Sequence, residues 1–354
     1  TWSSKNSRAI LERIVNYPVL INSILPAIKD SASFRNEFGV ECLASQSNAF
    51  CKKWIMPKLS VADGANPADG LDFSTPIVSG VSMCSGEKIP LMTIGGLTLT
   101  MNLAPNSAVF NTTDAISPEY ELFDLALVGS YLVPSLEDRE ALAEEKEGML
   151  ELNTFTPLFS TVMSTAQTQT YSLGLSDVIS VLWSFVPAVM INNYEFDQNT
   201  HMRLTQMTST TSNQLVKVNS MRSGIQLPLL FDQNVTPGST EAQLHRFYLM
   251  ALKKIQDVTE SAVSYETNDI NFALGATGNL VTSANQLLDV NKMNVNYGLP
   301  YDLLGDYAGT SFQGEPLSLE LTSTMSDNTS NAQYVFVLHK SKVMYDESGI
   351  RVLN

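Results

Sequence analysis

Three histidines, three cysteines and a cluster of glutamates are the residues of this chain whose chemistry could reach beyond packing. His201 sits in a polar stretch, His245 on the polar side of an amphipathic helical pattern, and His339 near the end of a strand-like run. A metal centre or a Ser-His-Asp arrangement needs partners that converge on the imidazole. None of the three has a carboxylate, a cysteine or a second histidine at local ligand-like or triad-like spacing. Cys42, Cys51 and Cys84 are odd in number and lack CxxC spacing, so they form neither a disulfide framework nor a zinc site. They read as thiols held in a reducing compartment, with a Cys42–Cys51 bridge as the alternative.

Other suggestive stretches each fall short of a motif. Ser172-Leu173-Gly174-Leu175-Ser176-Asp177 lacks the second glycine of a nucleophile elbow. Gly275-Ala276-Thr277-Gly278 lacks the Gly-Lys-Ser/Thr ending of a phosphate loop, and the acidic loop 62–72 lacks the closing Glu of a calcium loop. Glu144, Glu145 and Glu147 read as one solvated helix face, and Trp2, Trp54 and Trp183 are too dispersed to mark a sugar platform. The expectation is a chain with no catalytic, cofactor-binding or metal-ligating residue, and not an enzyme.

Composition narrows the partners. The 354 residues carry a net charge of −15, with 16% charged and 44% hydrophobic residues. Affinity for nucleic acid comes mainly from Lys and Arg displacing counterions, so sequence-specific binding of nucleic acid is not expected. Ser, Thr and Asn fill polar positions that charges usually occupy, a mixture suited to strand faces and loops. The opening TWSSKNSRAILERIV is polar and reads as no secretion signal. The apolar part at 18–28 is about eleven residues, too short to span a bilayer. Sequons at Asn111, Asn234 and Asn328 fit chance in so Asn- and Thr-rich a chain.

The elements that must position these residues are mostly strands. In 97–103, Leu97, Leu99, Met101 and Leu103 alternate with Thr98, Thr100 and Asn102; in 317–321, Leu317, Leu319 and Leu321 alternate with Ser318 and Glu320. Alternation with period two marks a strand with one buried face. Further strands are predicted at 76–83, 89–103, 120–133, 154–162, 168–173, 178–190, 222–230, 316–322, 334–345 and 350–353. Ile10, Leu11, Ile14 and Val15 form a helical stripe within 7–28, kinked at Pro18. That stripe is covered by the chain's own core, by a neighbouring subunit or by a membrane surface. A second helix is capped by Ser135 and stops at Gly148, with Glu137, Asp138 and Glu140 in its first turns. A third, 239–255, places Leu244, Phe247, Tyr248, Ala251, Leu252 and Ile255 on one face, with Thr240 and Gln243 matching a capping box.

The resulting division is an N-terminal helical arm (1–30), a first β-sandwich (31–134), an acidic helical connector (135–150) and a second sandwich (151–354). The second sandwich contains helix 239–255 and loop excursions at 192–211 and 257–294. The fold class is all-β: two tandem eight-stranded jelly-roll β-sandwiches with a few short helices.

The order of the strand motifs resembles a known family. Ile89-Pro90-Leu91 is followed by the Gly95-Gly96 step, the alternating strand from Leu97 to Pro105 and the strand from Tyr120 to Leu125. In the second half, Arg222 to Leu230 precedes the helix 239–255, and Gln313 to Leu317 and Tyr334 to Leu338 close the chain. This succession resembles the double jelly-roll major capsid proteins of tailless icosahedral DNA viruses, of the polinton-like virus and virophage type. The resemblance covers roughly 75–354 in order of elements. It implies homotrimers of pseudo-hexagonal outline that tile an icosahedral shell. Neighbouring capsomers, penton and minor or cement capsid proteins are the implied partners, an internal membrane a possible one, and the virion the location. Two other classes are open to an all-β chain. A carbohydrate-binding or adhesin β-sandwich needs a clustered aromatic face, and a β-sandwich hydrolase needs carboxylates or histidines converging in a pocket.

Overall fold

The computed structural model describes residues 1–17, 19–20, 42–44, 52–54, 77, 79–82, 89–92, 94–106, 119–122, 124–129, 132–138, 140, 147–162, 166–187, 215–227, 233–234, 250–251, 253–255, 295–301, 309–323, 331–346 and 349–353. The first strands in order are β1 (Trp2–Ser4), β2 (Ile10–Glu12), β3 (Cys42–Ala44), β4 (Lys52–Trp54) and β5 (Leu97–Leu99). They are followed by β6 (Gly148–Val162), β7 (Ala166–Tyr171), β8 (Val178–Pro187), β9 (Leu215–Arg222) and β10 (Ile225–Leu227). The last are β11 (Gln233–Asn234), β12 (Val295–Pro300), β13 (Leu317–Ser323), β14 (Asn331–Asp346) and β15 (Gly349–Leu353).

Strand order identifies the architecture of the second half. One sheet runs β6-β14-β8-β12, and another runs β7-β13-β9-β10. Counting these strands from one to eight along the chain gives orders 1-8-3-6 and 2-7-4-5. That is the strand order of a jelly roll, in which two Greek keys fold one antiparallel ribbon into facing sheets. The chain is therefore all-β with a jelly roll between Gly148 and Asp346. β15 extends the first sheet by pairing with β14 beyond the point where β8 stops.

Side-chain alternation explains why the sheets face each other. Leu317 and Leu319 of β13 turn inward with Tyr171 of β7, and meet Val181 and Trp183 of β8 and Val335 and Val337 of β14. Ser318 and Glu320 point away and are half-buried. On β8 and β14 the apolar residues are continuous rather than alternating, because both faces are covered. Leu182, Phe336 and Leu338 are buried on the outer face. Residues 250–251 and 253–255 are helical, Ala251 and Ile255 are buried, and Ser180 Oγ donates to the Ala251 carbonyl at 3.3 Å. The amphipathic stripe expected over 239–255 is thus seen at its C-terminal end, covering the outer face of β8. The β9–β10 turn is a two-residue hairpin in which Ser223 and Gly224 both have positive φ, 49° and 79°. That primed geometry matches the twist of the strands it joins.

Residues 1–16 depart from the expected helical arm, whereas Tyr17, Val19 and Leu20 are helical and 21–30 lie outside the described residues. Ile10–Glu12 is a strand that pairs with β1, and β1 pairs in turn with β5. Arg8 (φ 58°) and Asn16 (φ 57°) are left-handed on either side of β2, and a helix cannot run through either. The stripe that looked helical contributes a single core residue, Leu11, while Ile10 is exposed. Trp2, Leu11 and Val81 pack on Leu150, Leu152 and Val343, on the inner face of the sheet containing β6 and β14. Each such burial contributes about 1.5–3 kcal/mol, so this sheet is anchored to the jelly roll rather than loose.

Other predicted strands are shorter than expected or lie elsewhere. Within 76–83 the described residues 79–82 form a turn, and among the described residues of 89–103 only Leu97–Leu99 is a strand. Residues 121–122, 124–129 and 132–133 are in no sheet, and Asp124 at φ 53° interrupts extended backbone. Arg222 ends β9 instead of opening a strand. Gly148 begins β6, opposite Tyr345, while 139 and 141–146 of the acidic helix lie outside the described residues. The start of that helix is as read: residues 136–138 are helical, and Ser135 Oγ accepts from the Asp138 N–H at 3.1 Å. The excursions 192–211 and 257–294 lie outside the described residues.

Candidate functional site

The inner face of β14 carries one buried histidine between two apolar clusters. Period two places Val335, Val337, His339, Ser341 and Val343 on the same face. Val335 and Val337 belong to the sandwich core, and Val343 belongs to the cluster under the N-terminal sheet. His339, 1% exposed, marks the seam. Its Nε2 lies 2.8 Å from Thr156 Oγ1 and 3.3 Å from Thr154 Oγ1. Its Nδ1 lies 3.2 Å from the Lys340 carbonyl, and Thr154 Oγ1 is 2.7 Å from Ser341 Oγ. A carbonyl only accepts, so Nδ1 carries the proton and Nε2 accepts from Thr156. Burial pushes the imidazole pKa down to about 4, against smaller upward effects of the Lys340 carbonyl and the Asp177 charge. With both nitrogens engaged and no solvent access, His339 serves structure rather than proton transfer.

A second buried polar group went unread in the sequence. Glu12, 4% exposed, accepts from the N–H groups of Phe155 at 2.7 Å and Gly80 at 3.0 Å through Oε1, and of Val81 at 3.3 Å through Oε2. Burial raises its pKa above 4.5, while the Phe155, Gly80 and Val81 amides and Ser79 pull it down. One carboxylate thereby joins β2, the turn 79–82 and β6. No local signal could have revealed it, because every partner is distant in sequence.

A third group lies between the two sheets of the sandwich. Tyr171 Oη donates to Gln169 Oε1 at 2.9 Å and lies 2.7 Å from Ser160 Oγ; Ser160 also bonds Gln169 and reaches Gln333 Oε1 at 3.1 Å. Burial pushes the Tyr171 phenol up to about 12, partly offset by its bond to Ser160. It stays neutral and bridges the two sheets. Tyr171→Phe should cost about 1 kcal/mol, read as a lower urea midpoint at unchanged slope; an unaltered midpoint would count against the bridge.

The remaining flagged residues assemble no chemistry among those described. Trp2 Nε1 donates to Ser79 Oγ at 3.0 Å, and Trp183 lies in the sandwich core. Ser176 Oγ donates to Asp177 Oδ2 at 3.0 Å, but the His339 nitrogens face Thr156 and Lys340, so no triad forms. Cys42 lies in β3 and Trp54 in β4, while Glu147 is exposed. His201, His245, Cys51, Cys84, Glu144, Glu145 and 275–278 lie outside the described residues. Among the described residues no group of three His, Cys, Asp or Glu side chains could hold a metal ion, and no helix is long and apolar enough to cross a membrane.

Surface features are more distinctive than the interior. β5 pairs with β1 only as far as reciprocal bonds between Thr1 and Thr100. Beyond them, Met101 and Leu103 continue the alternation of Leu97 and Leu99 but are more than half exposed. Tyr120 Oη donates to the Ala104 carbonyl at 2.5 Å. Further along the chain Leu125 and Leu127 are exposed, and Val128 is 92% exposed. Leu132, Val133 and Leu136 follow, also exposed.

Comparison with known proteins gives structural likenesses only. No protein-family model matches the chain, and no curated protein sequence does. The PBCV-1 virus capsid is similar at a TM-score of 0.34 and 10% identity, covering 62% of this chain and 54% of that one. PBCV-1 VP54, fitted into a reconstruction of the virophage Sputnik, matches at a TM-score of 0.33 and 10% identity, covering 62% and 54%. The mavirus major capsid protein matches at a TM-score of 0.32 and 11% identity, covering 63% of this chain and 44% of its own. The match spans about half the length of those chains.

Proposed function

We propose that this chain is a structural shell protein, the double jelly-roll capsid subunit of an icosahedral DNA virus. In this reading 31–134 forms the first jelly roll and 135–150 connects it to the second. Three copies make a capsomer of pseudo-hexagonal outline. Capsomers meet one another, a penton protein and minor or cement proteins, and an internal membrane underlies the shell where one is present. The protein is not an enzyme, is made in a reducing host compartment and resides in the virion.

The observation that supports this most is the 1-8-3-6 and 2-7-4-5 strand order between Gly148 and Asp346. An eight-stranded jelly roll gives a rigid wedge whose edges and loops are free for subunit contacts, and closed symmetry multiplies each weak contact. The interior agrees with a building block: His339, Glu12 and Tyr171 all spend their polar atoms on holding strands together.

Light scattering on the purified chain should give a mass three times the 38.8 kDa of one copy. Electron microscopy of the same fraction should show pseudo-hexagonal particles. A chain that stays monomeric at high concentration and forms no particles would sink this reading.

A further inference from the structure

Strand β6 is the outer strand of its sheet. β14 pairs with it on one side, and among the described residues no strand pairs with it on the other. The outer side of such a strand carries a row of N–H and C=O groups that can template another chain. In β6 that row can be assigned residue by residue. Alternate residues of an antiparallel pair turn both backbone groups away from the partner strand. The Phe155 N–H points to Glu12 Oε1 at 2.7 Å rather than to β14, and the β6–β14 register runs from Gly148 to Val162 without a bulge. The odd-numbered residues from 149 to 161 therefore turn their backbone groups to the outer edge.

That row is occupied at intervals by something other than a strand. The turn 79–82 presses on the Asn153 carbonyl, where a Cβ at Gly80 would lie 1.8 Å from the oxygen. The buried Glu12 carboxylate takes the Phe155 N–H. Residue 157 is a proline and has no N–H to offer. The Thr161 carbonyl accepts from Gln169 Nε2 at 2.8 Å. These groups come from β2, the 79–82 turn, β6 and β7, yet all of them meet odd-numbered positions. A charge turned into the edge and a proline whose nitrogen faces outward are both devices that discourage edge-to-edge pairing. Glu12 and Gln169 also hold distant segments together, so stability alone accounts for them. Pro157 bonds no distant segment through its nitrogen, and its place in the row is what the edge explains.

We propose that Glu12, Pro157 and Gln169 guard the outer edge of β6 against strand addition by a second copy of this chain. Two such edges would meet antiparallel across a twofold axis, each offering the same odd-numbered groups to the other. With that route closed, copies are left to associate through side chains rather than through a continued sheet. The guard goes beyond the shell reading and does not depend on it.

The test uses the full chain with Pro157→Val and Pro157→Ala, each of which returns an N–H to the row. Light scattering over a concentration series should show both variants associating beyond the wild-type mass, about tenfold more tightly or better. Pro157→Val/Gln169→Met, which also releases the Thr161 carbonyl, should associate more tightly again. Far-UV circular dichroism should stay native. In the associated fraction the amides of residues 157 and 159 should exchange more slowly with solvent, the mark of a new ladder. Masses equal to wild type in both single variants overturn the guard. So does a gain in Pro157→Val that Pro157→Ala lacks, because the side chain and not the N–H would then be responsible. Association accompanied by loss of the native spectrum, or failure of both single variants to fold, overturns it as well, since the proline would then serve the folding of β6 itself. A trimeric wild type whose mass neither variant changes overturns the guard alone. A monomeric wild type whose variants associate with native spectra overturns the shell reading alone.

Discussion

Acid should unfold this protein through His339. The imidazole is ordinary in the unfolded chain, with a pKa near 6.5, and is pushed down to about 4 by burial in the fold. Between those values the unfolded state binds a proton that the folded state refuses. Stability is therefore fully present above pH 6.5 and is lost as pH falls through 4. The shift corresponds to about 3 kcal/mol. Glu12 works in the opposite sense. Its raised pKa means that its contribution is present below 4.5 and is lost as pH rises through its folded value. Absolute stability mixes the two, so the informative quantity is the difference between wild type and His339→Gln. Urea unfolding from pH 7.5 to 4 should show the wild-type advantage shrinking by about 3 kcal/mol. A gap that stays constant over that range would mean that His339 is not held neutral at the seam. The location sharpens the consequence: Thr154, Thr156 and Ser341 around the ring connect the sandwich core to the cluster under the N-terminal sheet. A second proton on the ring would leave Nε2 facing Thr156 as a donor instead of an acceptor, at the joint between the two cores.

How much of this was legible follows from the range of the interactions involved. The inner face of β13 is written in its letters, because Leu317 and Leu319 alternate with polar neighbours and the sheet has one wet side. β8 and β14 were legible as strands but not as doubly covered ones, since the helix over Ser180 is a contact across 71 positions. His339 was readable as an inward residue, two positions from Val337 on the same face. The N-terminus misled because Ile10, Leu11, Ile14 and Val15 fit a helical period, whereas Arg8 and Asn16 adopt left-handed backbone that no pattern of apolar letters announces. The 120–133 segment misled differently: its alternation is strand-like, yet Asp124 breaks the extended path and no described strand pairs with it. Strand order, which identifies the jelly roll, is a property of pairing and was anticipated only through the resemblance of the motifs.

Removing the Glu12 carboxylate should detach the N-terminal sheet from the jelly roll. Oε1 serves the Phe155 and Gly80 N–H groups and Oε2 serves Val81, all in buried surroundings. Glu12→Ala leaves those donors without an acceptor, at a cost of roughly 3–5 kcal/mol. The chain has little room to compensate. A Cβ at Gly80 would lie 1.8 Å from the Asn153 carbonyl oxygen, so the turn already presses its backbone on β6. Glu12→Gln is the milder change: its amide oxygen can keep Phe155 and Gly80, while its NH2 meets the Val81 N–H as donor against donor, costing about 1–2 kcal/mol. Two readouts separate local from global loss. Trp2 packs in the small cluster with Leu11, so its fluorescence follows the N-terminal sheet, while far-UV circular dichroism follows the strands of the sandwich. In Glu12→Ala the Trp2 transition should move to lower urea than the sandwich transition, and the Phe155 amide should exchange faster with solvent. Trp54 and Trp183 also emit, so Trp2 is isolated by comparison with Trp2→Phe in each background. Coincident transitions within about 0.5 kcal/mol of wild type would show that the carboxylate is dispensable. The order of effects, Ala worse than Gln, then tests whether acceptors rather than charge hold the joint, because both substitutions remove the charge and only one keeps an oxygen in place.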